Sequence, residues 1–475
     1  MKRNIIRILS LVTAISMVFG LTQISVSAAE TTYEITNPYE SVAHLLGSED
    51  YHYKTSFHTH TTYSDATIPL TEMIKEHYNQ DYEILGLADH GIIGKNWDEE
   101  PTIMTLYQYN PLIGNKQEHF STKDFKAIVA GTYSDGSTTR SIKNGMECLT
   151  GAIEGNMLVL QKNHVNGFFM EDDRTEGFLG NEGDFDTMIA MIEEAGGVSH
   201  INHPGDWLGS ADGQLVYDAD GNVMYTPNGD EMTVGYQIAT DPGNVQFFAK
   251  SLRQYKSCLG IEVYNAFDRP TRSDRVLWDE LLKVIIPEGR NVWGFANNDA
   301  HTYEDVDTAF MDFILPEYSE ANVRTAMENG TFFAVSRYEA GERIGTTMEF
   351  PKVTGIVVDE ENDTITITGK NTDSIKWIAD GITIQTDTLS VNGECVSTIK
   401  LQNYSDDISC YVRAELAGQG GKTLTQAFVC DSGNMDTLVD RGPFNPAPID
   451  FVTVFRKILK TVYNVFLDLV PELNV

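Results

Sequence analysis

The chain has 475 residues, 41% of them hydrophobic and 10% aromatic, enough to bury a large core in two or three domains or in one barrel with additions. A formal net charge of −35 repels polyanions and argues against nucleic acid as a ligand. Cys148, Cys258, Cys395, Cys410 and Cys430 form no C-x-x-C pair, so a zinc-finger or redox motif has no support. A disulfide within the last three stays open, with no pairing specified.

In chain order, residues 1–28 read as a bacterial-type signal peptide. Lys2, Arg3 and Arg7 precede a largely apolar run, and Val26 and Ala28 in "VSAAE" precede a cleavage point. The expected location is therefore secreted, extracellular or attached to the cell surface. "TSFHTH" reads as a strand in which His58 and His60 point the same way. "LTEMIKEHYN" has helical spacing at Leu70, Met73, Ile74, His77 and Tyr78, with His77 a packing or surface residue. "YEILGLADH" is a buried strand ending at Asp89 and His90. Residues 91–141 are loop-rich. "DFDTMIAMIEEAGG" is a helix leading into "GVSHINHPG", where His200 is expected to face a helix and His203 the opposite side. Residues 208–245 read as an inserted β-hairpin. Its Asp218, Asp220 and Asn222 resemble a calcium loop, but a glycine at the fourth position and no distant glutamate favour a turn. "SCLGIEVYN", "SDRVLWDELLKVI", "NVWGFANNDAH", "SEANVRTAMENG" and "TFFAVS" continue the alternation of strand and helix. Such alternation predicts an α/β barrel-like domain with its chemistry at the C-terminal strand ends. Beyond Met348, alternating polar and β-branched residues predict a sandwich-like module at 349–432. A linker at 433–448 and an amphipathic helix at 449–470 follow, the helix too polar to span a membrane. It packs on the protein or lies on a surface.

His58, His60, Asp65, His90, His203, Glu262, Asp299 and His301 fall at or just after strand ends, and Glu147 in "SIKNGMECLTG" is placed with them. Imidazoles and carboxylates without thiolates suit zinc, manganese or iron. They exceed what one ion needs, so two or three divalent ions per chain are expected, bridged by a carboxylate.

"FHTHTTYSDA", "LGLADHG", "GMECLTG", "INHPG", "GIEVYN" and "NNDAH" resemble, in order, the motifs of the PHP (polymerase and histidinol phosphatase) superfamily, in the branch that includes a carbaryl hydrolase. The resemblance covers about residues 37–340, within a hydrolase domain expected at 37–345. It implies a distorted (β/α)7-type barrel with a di- or trinuclear site. It further implies that His58 and His60 bind a first ion bridged by Glu147 and completed by Asp299. Asp65, His90 and His301 would hold another, and His203 the ion shared with Glu147. Asp89 would orient a neighbouring imidazole. A family histidine roughly ten residues after the bridging glutamate is replaced by Asn156, with His164 as the alternative ligand. Arg269 and Arg272, after the Glu262 strand, would bind a phosphate. The expected activity is phosphoester hydrolysis by a metal-activated hydroxide on a small substrate. Hydrolysis of a carboxylic ester, carbamate or amide is the alternative. A third reading is a non-catalytic protein contacting the cell surface through its β module or final helix.

Overall fold

The computed structural model describes residues 32–103, 118–154, 164–170, 185–208, 213–268, 273–388, 390–433 and 435. The expected signal peptide, most of the linker and the final amphipathic helix lie outside them, as do Asn156, Arg269 and Arg272. No helix among the described residues is long and apolar enough to cross a membrane. The chain is mixed α/β.

Local patterns explain the helices. Leu70–Asn79 buries the expected stripe of Leu70, Met73, Ile74, His77 and Tyr78. Phe185–Glu194 buries Phe185, Met188, Ile189 and Ile192. Ile192 packs over Gly167, where a Cβ would lie 2.8 Å from it. In Glu320–Asn329, the Ser319 side chain accepts from the Asn322 N–H at the start, and Gly330 ends the helix at φ 71°. Two helices, Val234–Ala239 and Pro242–Gln254, are additions to the expected elements. The first occupies part of the stretch read as a hairpin. The second starts on an Asp241 cap with proline in its first turn. Among the described residues of that stretch the pairing consists of isolated bridges, Leu215–Thr233, Tyr217–Val223 and Tyr225–Glu231.

Two sheets carry the α/β region. In the first, His52–Ser56 runs parallel to Ile84–Leu85, which runs parallel to Glu147–Cys148. On its other side His52–Ser56 pairs antiparallel with Ala309–Ile314, which pairs antiparallel with Phe332–Ser336. In the second, Val198–Ile201, Cys258–Asn265 and Trp293–Asn297 are parallel. Val165–Phe168 pairs antiparallel with both Val198–Ile201 and Ile153–Glu154. The sheets meet at two isolated parallel bridges, Thr59–Ala300 and His90–Glu154. An all-parallel arrangement is therefore not what forms. A parallel neighbour needs a crossover of a dozen or more residues, usually helical. The turns at 298–308 supply no such helix, so Ala309–Ile314 reverses direction.

The β region packs two antiparallel layers around a second core that includes Trp377, Ile365, Ile367 and Leu416. One layer contains Lys352–Asp359, Thr364–Lys370 and Glu394–Lys400. The other contains Ser374–Ala379, Ile382–Asp387 and Tyr411–Gly418. The Trp377 indole N–H donates to Ser397 Oγ at 2.7 Å between them. This region is continuous with the first sheet, because Gly421–Leu424 pairs with Phe332–Ser336. Gly421, at φ 122°, approaches Ser336 so closely that a Cβ would meet its carbonyl oxygen at 2.2 Å. Buried charges cross the same seam. Arg413 Nε and Nη2 donate to the two oxygens of Asp279, each at 2.7 Å, and the Tyr411 hydroxyl donates to one at 2.8 Å. Arg337 Nε donates to Asp307 at 3.0 Å, and its Nη1 to the Gly420 carbonyl at 2.6 Å. The described residues from Tyr33 onward cluster as one compact unit. Tyr33 and Ile35, ahead of the expected domain start, also pack into the second core, as does Tyr39. All five cysteines are buried and free, so the disulfide left open among the last three does not form.

Candidate metal centre

Past Ser56 the chain stays extended through His60, whose N–H donates to the Ala300 carbonyl at 3.0 Å. That bond brings the 298–301 segment alongside. Asp299 Oδ1 then lies 3.1 Å from both His58 Nε2 and His60 Nε2. Asp299 and His203 hold their side chains in place through positive φ, 46° and 23°. These conformations are costly for residues with a Cβ and are typical of functional positions. The second bridge delivers Glu154. One of its oxygens is 2.7 Å from His164 Nδ1 and the other 2.7 Å from His90 Nδ1 and 3.4 Å from His60 Nε2. Asp65 completes the group, 3.2 Å from His301 Nε2 and 3.4 Å from His90 Nε2.

Among the described residues, His58, His60, His90, His164, His203 and His301 thus converge with Asp65, Glu154, Glu262 and Asp299, in overlapping sets of three whose donor atoms lie within 4.8 Å of one another. Several facing atoms are buried without hydrogen-bond geometry: His58 Nε2, His90 Nδ1, Glu154 Oε2 and Asp299 Oδ1. Buried polar atoms are normally satisfied. Convergent lone pairs that lack partners suit a cation, and nitrogen and oxygen donors without sulfur suit zinc, manganese or iron.

The electrostatics agree. Burial alone would raise Glu154 and Asp299, yet the imidazoles around them, His164 first for Glu154 and His58 first for Asp299, hold both well below the usual carboxylate range. Burial disfavours protonated His58 and His90, yet Asp299 and Glu154 respectively lead in pushing them well above the ordinary histidine value. His164 is pushed down to about 4, chiefly by burial. The carboxylates therefore require positive charge beside them, as imidazolium protons or as a bound cation.

Glu147 is not in this cluster. It pairs with Ile84, six residues before His90, or roughly 20 Å of extended chain away. Burial raises its pKa, and its charge is felt by Tyr53 and Tyr318. Glu154 stands where Glu147 was expected, and the expected spacing of about ten residues to a histidine runs from Glu154 to His164. Asn156, the expected weak ligand, lies outside the described residues, as do the phosphate-binding candidates Arg269 and Arg272. Asp89 accepts from the Thr61 N–H, Thr61 Oγ and Ser64 Oγ at 2.7, 2.8 and 2.6 Å. It organises the loop after His60 and reaches that ring only through Ser64, 3.4 Å from His60 Nδ1.

His200 also departs from expectation. It lies against the Phe295 ring, at 4.4 Å, and against Phe168, both on strands of its own sheet. The antiparallel register explains this, since His200 pairs with Asn166 and shares its face. His77 is buried. Asn298 Nδ2 donates to its Nε2 at 2.8 Å, so its Nδ1–H donates to the Met73 carbonyl at 2.9 Å. Its role is packing beside the Asp299 turn. Sequence reasoning also missed a layer of amides. Asn202 Nδ2 donates to Glu154 at 2.9 Å, and Asn297 Nδ2 to Glu262 at 2.8 Å.

No protein-family model matches the chain, and no curated protein matches it. Among solved structures it is similar to a two-domain protein containing a predicted PHP-like metal-dependent phosphoesterase from Bacteroides vulgatus. The match has 14% identity and a TM-score of 0.36, and covers 79% of this chain and 95% of that one. A likeness of that size leaves the function to be argued from the side chains themselves.

Proposed function

We propose that the chain is an exported metal-dependent hydrolase of small phosphoesters, and that its two sheets are the walls of a distorted barrel with the histidine–carboxylate cluster at its mouth. The observation that carries this reading is the convergence of buried donor atoms without hydrogen-bond geometry around Glu154 and Asp299. His58, His60 and Asp299 would hold one ion. Asp65, His90 and His301 would hold a second, and His164 with His203 a third. Glu154 would reach all three seats. Divalent ions bound there would supply Lewis acidity and lower the pKa of water.

The chain's own residues set the approach. The side chains of His301, Asp65 and Asp299 are 33%, 21% and 17% exposed, whereas His58 and His60 are at most 1% exposed, so substrate enters from the His301–Asp65 side. The strained turns at His203 and Asp299 hold their side chains toward the cluster before any ligand arrives. A surface this acidic repels an anionic substrate, which makes the cations the natural seat for a phosphoryl group.

The test is turnover of p-nitrophenyl phosphate, bis-p-nitrophenyl phosphate and p-nitrophenyl acetate by metal-loaded and chelator-treated protein. Chelator-sensitive turnover of a phosphate substrate is expected. Turnover of the acetate alone would move the assignment to the ester, carbamate or amide alternative. Chelator-insensitive turnover would remove metal from the account.

A further inference from the structure

We infer that Glu262 is a positioning residue of the centre and not one of its ligands, holding His58 and His203 in their binding poses through a fully used carboxylate. This rests on reading the cluster as a metal centre. Proximity alone suggests otherwise, because Glu262 forms one of the potential metal-holding triads with His58 and His203.

Counting donors decides between the two roles. A carboxylate offers about four lone-pair sites. At Glu262 Oε1, His58 Nδ1 approaches to 2.8 Å and Asn297 Nδ2 to 2.8 Å. At Oε2, the His203 N–H approaches to 3.0 Å and Asn265 Nδ2 to 3.1 Å. The Asn297 amide is oriented independently, since its Oδ1 accepts from the Phe57 N–H at 2.9 Å. Oε2 thus has two N–H donors and Oε1 has the Asn297 amide, a setting that favours the ionised carboxylate. His58 Nδ1 must then be a donor too. Its Nε2, facing Asp299 at 3.1 Å and Glu154 at 3.7 Å, is then the atom that would meet an ion. Glu154 is the contrast: its Oε2 is buried without a hydrogen bond.

Glu262 therefore does two things from one position. It sets the tautomer of His58 and makes that ring a better donor. It also pins the backbone of His203 at a residue whose φ of 23° would otherwise relax. The strand Cys258–Asn265, paired on both sides and buried along its whole length, makes this a rigid support.

The experiment is chelator competition with Co²⁺ on wild type, Glu262→Gln and Glu262→Asp, read as affinity and as ions per chain at saturation. A glutamine must place its amide N–H₂ against donors at one end. The expected result is Co²⁺ binding weaker by about 10–100-fold with an unchanged number of ions at saturation. Unchanged affinity, even with a lowered melting temperature of the metal-free protein, would reduce Glu262 to a structural strut and overturn the inference. Permanent loss of one ion at saturation would make it a ligand and also overturn it. Should the variants fail to fold, the Co²⁺-loaded wild-type crystal structure decides. Both Glu262 oxygens are expected on their four N–H donors, and an oxygen within about 2.2 Å of an ion would contradict this. A wild type that binds no Co²⁺ would overturn the metal reading and this inference together, whereas a wild type that binds it leaves only Glu262 in question.

Discussion

Two buried clusters of charge sit in this molecule, and they are built in opposite ways. At the seam between the α/β and β regions, both oxygens of Asp279 are taken by Arg413, and one also by Tyr411. Asp307 is likewise engaged by Lys54 and Arg337. At the histidine–carboxylate cluster Glu154 Oε2, Asp299 Oδ1, His58 Nε2 and His90 Nδ1 face one another at ion-pair distances without hydrogen-bond geometry. A buried charge is tolerated when it is paired and hydrogen-bonded. The seam meets that condition with its own side chains, all but Arg413 Nη1, which is buried without hydrogen-bond geometry. The cluster meets it only with something added, and this separates a strut from a site.

The comparison is broken most directly by removing ligands. The double substitution His58→Ala with His60→Ala should reduce hydrolysis by well over the ~100-fold typical of changes to groups that merely orient ligands, while far-UV circular dichroism stays native. Wild-type turnover per molecule in the purified variant would refute the cluster's role. A sharper version pits two glutamates against each other. Glu154→Gln should strip metal and activity, whereas Glu147→Gln should leave both unchanged and shift stability by no more than about 0.5 kcal/mol. Asn156→His should be equally silent, because His164 already faces Glu154. Loss of metal on changing Glu147 would reverse the assignment.

The seam should answer in stability and not in chemistry. Asp279→Ala leaves the Arg413 guanidinium buried and unpaired, with an expected loss of about 3–5 kcal/mol in denaturant unfolding. Turnover per folded molecule should be unchanged. The same seam predicts that a chain ending near Met348 does not fold on its own, since it lacks Arg413, Tyr411 and the strand that pairs with Phe332–Ser336. A soluble, metal-loaded truncated chain would show that the two regions are separable after all.

The smallest effect is a pH dependence at His52. Burial there disfavours the charged ring, but Asp312, 2.8 Å from Nδ1, outweighs it and raises the pKa, while Nε2 meets the Leu46 carbonyl at 3.0 Å. The folded state therefore holds its proton more tightly than the unfolded chain. This stabilisation is fully present below the unfolded value of about 6.5 and is lost as pH rises through the higher folded value. Metal-free protein should lose stability on going from pH 6 to pH 9, and His52→Gln should remove that part of the slope. An identical slope in the variant would exclude His52 as its source.

How far the sequence could be read follows from how each part is made. Period-two alternation placed His58 with His60, and strand-end position pointed to His90, His203, Asp299 and His301, because those strands carry clear apolar runs. Glu147 and Glu154 were not distinguishable that way, since each begins or ends a strand of only two residues, too short to show a period. Spacing to His164 was the available signal. The antiparallel strands escaped because direction is set by what lies between strands, and an apolar run such as "AFMDFI" reads alike either way. The helix Pro242–Gln254 was missed although Asp241 with Pro242 is a helix-start signal. The fusion of the two regions was invisible, because Arg337, Asp279 and Arg413 look like surface residues until their partners are known.

The most direct test of the central claim is elemental analysis of the wild-type protein, saturated with Zn²⁺ or Mn²⁺ and then dialysed against metal-free buffer. The account predicts two to three ions retained per chain, falling below one when His58 and His60 are replaced. Retention of no ion by folded wild-type protein would contradict it, because the buried cluster would then be satisfied by its own protons.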